Sequence, residues 1–548
     1  MTNYKNLSEL HQRQSERLGP RPALRFRRGG TYHEVSWNEY REQAIACAAS
    51  LIAHGIEPGD RVGLLAENSV QWLIADMGIL TAAAVNVPSH APLAPRQVQF
   101  QLSNADVSWL FVSDKIQLDK FHQVRHELPN IKGVVVLDDA STTSDSISWT
   151  EFLQKGRAAL ADVEEELRRR EENLVPSSLA TIMYTSGTTG NPKGVMLSHG
   201  NLLSNSTTAD AIFPRDEGPI LSWLPFSHIF ARTVDHYANL VGGTSVCLAD
   251  SAETVVEQLR EVNPTLLCAV PRFYEKVVQG VPRENLKAVF GNRIRGLCAG
   301  GAAMPVAVAK ALRDVGLEVL IGYGLTESSP VISTNLLGNA RLDTVGPPIP
   351  GIEVKIADDG EVLTRGPHVM QGYWSNPQAT ADAIKDGWLH TGDLGMIDED
   401  GHLKVTGRKK ELLVLSNGKK LLPTQIESIL VTEECVDQVV VYGEGRPFLT
   451  AIVVPNWPKL RLQLTQSGII NLDAVSDKDL CQQKAVIDTL LQRMETVLRD
   501  FASWEQVKKC LVLPEPFTVE NEELTVSLKL RRNVVFAKYQ DKLDEFYS

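Results

Sequence analysis

The chain has 548 residues, of which 43% are hydrophobic and 22% charged, with a formal net charge of -12. That length exceeds the ~250–300 residues at which a single core stops growing, so two or more folding units are expected. The acidic balance, with no long Lys/Arg block, gives no electrostatic reason to bind nucleic acid. Seven scattered cysteines without a C-x-x-C pair indicate neither a disulfide frame nor a zinc site.

The start, "MTNYKNLSELHQRQ", lacks the apolar centre of a signal peptide. From Trp37 to Pro92, the helical period of "WNEYREQAIACAASLIAHG" alternates with the strand-like "DRVGLLAE". "WLIADMGILTAAAVNV" is interrupted by Asp76 and is shorter than the ~20 residues of a membrane span, so it reads as a buried helix. "VSWLFVS" and "GVVVLDD" read as buried strands, and "ADVEEELRRREENL" as a charged surface helix. Strands alternating with helices call for a parallel or mixed sheet covered on both faces. The expected compartment is the cytoplasm, with loose membrane association left open.

The strand-like "LATIM" runs into "YTSGTTGNPKG". Gly187, Gly190 and Gly194 permit positive φ, so successive N–H groups can converge on one concavity. Thr185, Ser186, Thr188 and Thr189 add hydroxyls and Lys193 adds a cation, a donor set suited to a polyphosphate. The segment is not the G-x-x-x-x-G-K-[ST] phosphate loop, because Gly194 follows the lysine. Further on, "LPFSHIF" suggests Trp223, Phe226 and Phe230 clustered around the imidazole of His228. "TLLCAV", "PRFYEKVVQG" and "IRGLCAGG" continue the strand–helix alternation. "GYGLTESSP" follows the strand-like "LEVLI", placing Thr326 and Glu327 at a strand end, where open α/β sheets hold ligands. Glu327 is the kind of single carboxylate that Mg²⁺ takes alongside phosphate and water oxygens.

Near Gly346 the texture changes to "GPPIPGIEVKIADDGEVLTRGP", the period-two pattern of an antiparallel β region whose last strand reads as "GHLKVTGRKKELLV". "LPTQIESILV", "VDQVVVYGE" and "FLTAIVVP" then form a compact α+β module. It closes on a helix with Val535, Tyr539, Leu543 and Phe546 on one face. The expected fold class is α/β, a large N-terminal domain of α/β layers plus a β-rich subdomain, with a small mobile α+β C-terminal domain. The expected domains are residues 1–409 and 410–548.

Taken together, "YTSGTTGNPKGVMLSHGNL", "LPFSHIF", "CAGGAAM", "IGYGLTESSP", "WLHTGDLG", "GRKKELLV" and "LKLRR" resemble the ordered motif set of the adenylate-forming (AMP-binding) enzymes, and among these the long-chain fatty acid–CoA ligases. The resemblance spans essentially the whole chain. It implies ATP-dependent activation of a fatty acid to acyl-AMP with pyrophosphate release, then thioester formation with CoA, with Mg²⁺ as cofactor.

By the same resemblance, ATP is held by Thr185, Ser186, Gly187, Thr188, Thr189, Gly190 and Lys193, with Thr185 and Glu327 serving the metal. Adenine lies on Gly301 and Ala302, and Tyr323, Gly324 and Thr326 stand beside the nucleotide. Asp393 and Arg408 hold the ribose, and His228 stands near the carboxylate. Lys529 is the lysine that swings in for adenylation, Lys410 falls at the hinge, and Gly418 lies in the loop facing the CoA arm. Where long-chain members read Glu-Arg, this chain has Ala231-Arg232, and "ELTV" departs from their Leu-Thr-Pro-Thr. Alternatives within the family are a medium-chain or aryl-acid ligase, or an enzyme loading an acyl carrier protein. Outside it stands a non-catalytic nucleotide-binding protein.

Overall fold

The structure, a computed structural model, describes residues 4–185, 192–213, 218–468, 475–518, 521–524 and 530–548. An eight-stranded mixed sheet forms the first layer. Its order is Gly372–Tyr373, Lys193–Ser198, Leu179–Thr185, Val85–Ser89, Arg61–Leu65, Val107–Val112, Gly133–Val136 and Ile147–Ser148. From Leu179–Thr185 through Ile147–Ser148 every pairing is parallel, while Lys193–Ser198 runs antiparallel to both of its neighbours. Val, Leu and Phe dominate these strands, as burial on both faces requires.

The helices Trp37–Ala53, Val70–Thr81 and Trp149–Asn173 pack together on this sheet. Val70–Thr81 is buried at every position but Gln71, as its apolar run predicts. Trp149–Asn173 carries i,i+3 and i,i+4 ion pairs on its exposed face, including Arg168 with Glu165 and Glu172. Its Arg170 turns inward instead, donating to the carbonyls of Ile56 and Ala82.

A second sheet orders Leu266–Ala269, Gly296–Ala299, Val319–Gly324 and Val331–Thr334 around its own core. A third is antiparallel, built on Glu353–Ile356, Glu361–Arg365, Trp388–Ile397 and Leu403–Arg408. The expected single strand over "GHLKVTGRKKELLV" is two. Leu403–Arg408 ends in a 3₁₀ turn at Lys409–Glu411, and Leu413–Val414 then pairs with Lys420–Leu421. The break falls where Arg408 is drawn back across its hairpin, so the chain leaves the sheet there.

Beyond this turn, Val436–Tyr442, Leu449–Pro455 and Val507–Val512 form a three-stranded sheet. Its two core clusters contain only residues from Leu413 onward. The last helix, Arg532–Asp544, packs Val535 and Leu543 against Val440 and Ile452. All seven cysteines are free and buried. Among the described residues, no helix is long and apolar enough to cross a membrane.

Candidate active site

The glycine–threonine segment joins two antiparallel neighbours of the large sheet, with Thr185 and Lys193 as cross-strand partners at its base. Ser186, Gly187, Thr188, Thr189 and Gly190 lie outside the described residues, as does Lys529. Gly194 does not adopt the positive φ expected of it, since it belongs to the strand Lys193–Ser198. Space accounts for it instead, because a Cβ there would stand 2.7 Å from Ile182 Cγ2.

Lys193 points over the ring of Tyr373, its Nζ 4.8 Å from the centroid. Tyr373 sits on the two-residue edge strand that pairs with Lys193–Ser198, opposite Val195. Its hydroxyl donates to Glu327 Oε1 at 2.8 Å. Burial and the neighbouring carboxylate push the Tyr373 phenol well above its ordinary range, so it remains a donor. Glu327 occupies a 3₁₀ turn, Thr326–Ser328, directly after the strand Val319–Gly324, and its backbone carbonyl also accepts from Met370 N–H. Cation, ring, hydroxyl and carboxylate thus form a continuous row beside the base of the glycine loop.

A second row lies on the other side of the same strand end. Asp393 and Arg408 face each other across the hairpin of Trp388–Ile397 and Leu403–Arg408. Arg408 Nε lies 3.0 Å from Asp393 Oδ1, and the Tyr323 hydroxyl donates to Oδ2 at 2.7 Å. Asp393 is buried at 4% exposure, whereas the Arg408 side chain is 46% exposed, so the arginine can turn toward a ligand while the carboxylate stays fixed. Burial and Asp393 push the Tyr323 phenol up. Behind them, Glu361 accepts from Gly392 N–H at 2.9 Å, pairs with His390, and lies 3.2 Å from Lys409 Nζ.

Gly301 has φ +84, and a Cβ there would find only Val270 at 4.0 Å, leaving an open flat platform with exposed Ala302 beside it. Gly300 backs onto Phe230, whose ring would lie 3.3 Å from an added Cβ. Gly324 fits nothing larger, since a Cβ would fall 1.8 Å from the Pro330 carbonyl oxygen.

The aromatic residues of "LPFSHIF" serve separate neighbours. Trp223 tilts on Phe273, and Phe226 on Trp72 and His236. His228 caps the Phe230 N–H and stacks on His90 at 6.3 Å between centroids. His90 shares a 2.7 Å hydrogen bond with Ser227, and burial lowers its pKa to about 4, so the ring is neutral. Lys410 is exposed and makes no hydrogen bond or ion pair among the described residues. Gly418 takes φ +78 in the tight loop between Leu413–Val414 and Lys420–Leu421.

Beneath the site lies a buried charge. Arg232, which opens a π-helical turn at Arg232–Tyr237, bonds Asp76, the residue that interrupts the apolar helix. Both side chains are 0% exposed. The Tyr237 hydroxyl donates to the other Asp76 oxygen at 2.8 Å, and Arg232 Nη1 donates to Thr181 at 2.8 Å, four residues before Thr185. Thr233, next in the turn, donates to the carbonyl of Ser329, two residues past Glu327. This network ties the helix, the strand leading to the glycine loop and the Glu327 turn into one unit. The sequence singled out neither Tyr373 nor Glu361. Tyr373 carried a signal in "QGYW", an aromatic beside a glycine, but nothing local linked it to Glu327.

These features define an α/β enzyme core with two rows of polar side chains gathered at the strand ends, followed in the chain by a smaller C-terminal unit. Comparison with known proteins assigns the class. Residues 11–374 match the AMP-binding enzyme family and residues 410–548 the AMP-binding enzyme C-terminal domain. The chain therefore belongs to the AMP-binding enzyme family. The long-chain-fatty-acid–CoA ligase FadD15 of Mycobacterium tuberculosis is 30% identical, covering 95% of this chain and 93% of its own length. The human long-chain-fatty-acid–CoA ligase 1 is 29% identical, over 94% of this chain and 83% of its own. In fold, the chain is similar to the anthranilate CoA ligase AuaEII in complex with anthranoyl-AMP (TM-score 0.80, 20% identity, 99% of each chain). It is also similar to ATP-bound MatB from Rhodopseudomonas palustris (TM-score 0.76, 23% identity, 98% of this chain and 99% of that one). The family, the fold class and the enzyme class expected from the motifs are met.

Proposed function

We propose that the protein activates a fatty acid with ATP, forming acyl-AMP and pyrophosphate, and then passes the acyl group to the thiol of CoA. The observation that carries this reading is the convergence of Tyr323 and Arg408 on the Asp393 carboxylate, together with the Lys193–Tyr373–Glu327 row. One set suits a ribose diol, offering an acceptor and a guanidinium donor; the other suits phosphates. The likeness to long-chain ligases over nearly the full chain supports the fatty-acyl class.

A carboxylate resists nucleophiles because of its charge and its poor leaving group, and esterification to AMP removes both obstacles. In the first step the acid oxygen attacks the α-phosphorus and pyrophosphate departs, so the protein's task is positioning and charge stabilisation. Lys193 and the glycine loop hold the departing phosphates. Tyr373 fixes Glu327, and Glu327 Oε2 accepts no hydrogen bond among the described residues, leaving a hard oxygen that fits Mg²⁺. When bound there, the ion neutralises phosphate charge. Asp393 accepts from the ribose and Arg408 donates to it. Gly301 and Ala302 give the adenine ring backbone to lie on, and His228 borders the acid. In the second step the CoA thiol attacks the acyl carbon and AMP leaves.

We assign residues 1–409 to substrate binding and 410–548 to a lid pivoting at Lys410, with Gly418 facing the thiol donor and Lys529 entering for the first step. Lys529→Ala should abolish acyl-AMP formation and spare thioester formation from supplied acyl-AMP; equal loss in both would refute that role. The function is tested by product chromatography over medium-chain, long-chain and aryl acids, with CoA or an acyl carrier protein as acceptor. AMP with pyrophosphate, greatest with long chains and CoA, is expected. ADP, or no acid-dependent turnover, would overturn the reading.

A further inference from the structure

Near the turn at Lys409–Glu411 the two units touch through Gln425 Nε2, which donates to the Thr406 carbonyl, and through Leu422, packed on Gly407. These contacts lie beside the pivot. A second contact joins the units through other elements. Arg272 Nη2 bonds Asp437 Oδ1 at 2.5 Å, from the helix Pro271–Gly280 of the large unit to the strand Val436–Tyr442 of the small one.

Arg272 stands two residues after Val270, the side chain nearest the Gly301 platform, so its helix begins beside the residues proposed to hold adenine. An arginine in the first turn of a helix opposes the helix dipole, which gives it an electrostatic reason to seek carboxylates. It finds two. Glu275, one turn on and on the same unit, takes Nη1 at 3.0 Å, a bond that does not involve the small unit. Asp437 supplies the contact across the gap.

We infer that Arg272 and Asp437 form a latch that holds the small unit against the large one in one of its two working orientations, with Glu275 as its mounting. The inference rests on the two-step reading above. Both partners are about one-third exposed, at 30% and 29%. A pair of that exposure biases an equilibrium by no more than about five-fold. That strength suits a contact broken and remade in every turnover; a fully buried pair would trap the unit. Arg272 and Asp437 are positioning residues and touch no reacting atom.

The test separates the half-reactions. Acyl-AMP formation and thioester formation from supplied acyl-AMP are measured in Asp437→Asn, Arg272→Gln and the charge swap Arg272→Asp/Asp437→Arg. The single variants should move the two rates in opposite directions, by about two- to five-fold, and the swap should restore both. Rates that fall together, rates that stay unchanged, or a swap that restores neither would overturn the latch. In parallel, distances between paired spin labels, one on each unit, should be narrowly distributed in the parent and broadened in Asp437→Asn. This second readout needs no turnover. If no acid is adenylated at all, the functional reading fails while the latch is still judged; an identical distance distribution in parent and variant refutes it.

Discussion

The Tyr373 hydroxyl donates to Glu327 Oε1 at 2.8 Å while its ring lies beneath the Lys193 ammonium, so one side chain sets the places of an anion and a cation. Tyr373→Phe keeps the ring and removes the bond. Hydrogen bonds to charged groups contribute ~1.5–3 kcal/mol, and Glu327 is only half-buried, so the low end applies. The Mg²⁺ concentration giving half-maximal adenylation should rise by about ten-fold. An unchanged magnesium titration would separate Tyr373 from the metal's carboxylate.

Asp393→Asn retains the shape but loses the charge that holds Arg408 and accepts from Tyr323. KM for ATP should rise by about ten- to hundred-fold, following the same ~1.5–3 kcal/mol, with kcat less affected. Initial rates across ATP concentrations decide it, and a fall in kcat alone would move Asp393 out of ribose binding.

Arg232→Met leaves Asp76 completely buried without its counter-ion, with only the neutral donors Tyr237 and Asn86 bonded to it. Removing one partner of such a pair costs about 3–5 kcal/mol, whereas replacing both with apolar groups of like volume is often neutral. Denaturant unfolding should therefore show a large loss for Arg232→Met and substantial recovery for Asp76→Leu/Arg232→Met. Recovery of stability without recovery of activity would mark the pair as a positioning element for the strand that carries Thr181.

His199 and His236 are buried and neutral, each with its pKa lowered to about 4, chiefly by burial. The unfolded chain takes up their protons near pH 6.5, the folded one only near 4. Between those values the unfolded state binds more protons, so stability rises with pH. Their contribution is fully present above about pH 6.5 and is lost as the pH falls toward 4. Urea unfolding at a series of pH values should show this slope, and His199→Gln should flatten it.

Gly324→Ala places a methyl 1.8 Å from the Pro330 carbonyl oxygen, which is backbone and cannot swing aside. The turn bearing Thr326 and Glu327 must shift to admit it. Adenylation should fall by at least ten-fold (about 1.4 kcal/mol at the transition state), with a clear drop in Tm. Normal rates would mean that the turn is pliant.

The alternation of strands and helices, the β-rich texture after Gly346 and the compact terminal module were legible because each rests on local periodicity. Asp76 was visible as an anomaly in an apolar run, but its partner lies 156 residues away, and no local pattern connects them. The same holds for Tyr373 and Glu327, 46 residues apart and joined by a side-chain hydrogen bond once the edge strand of Tyr373 has paired with Lys193–Ser198. Gly194 was misjudged because glycine serves two ends, turning the chain and making room, and sequence does not distinguish them. The break at Lys409–Glu411 falls on Lys and Glu, which are depleted in strands, but the strand-forming runs on either side of it masked that signal.

The π-helical turn at Arg232–Tyr237 carries a consequence for how this chain tolerates change in length. In an ordinary α-helix, residues five apart diverge by about 140° at 3.6 residues per turn. Here the widened turn aligns Arg232 with Tyr237, close enough for a 2.9 Å bond between them while both clasp Asp76. Deleting one residue from the turn would rewind it to the narrower pitch and swing one clasp off the carboxylate. The count of residues between these two side chains is thus set by an ion the solvent never reaches, and drift in length must fall elsewhere, on the outer loops.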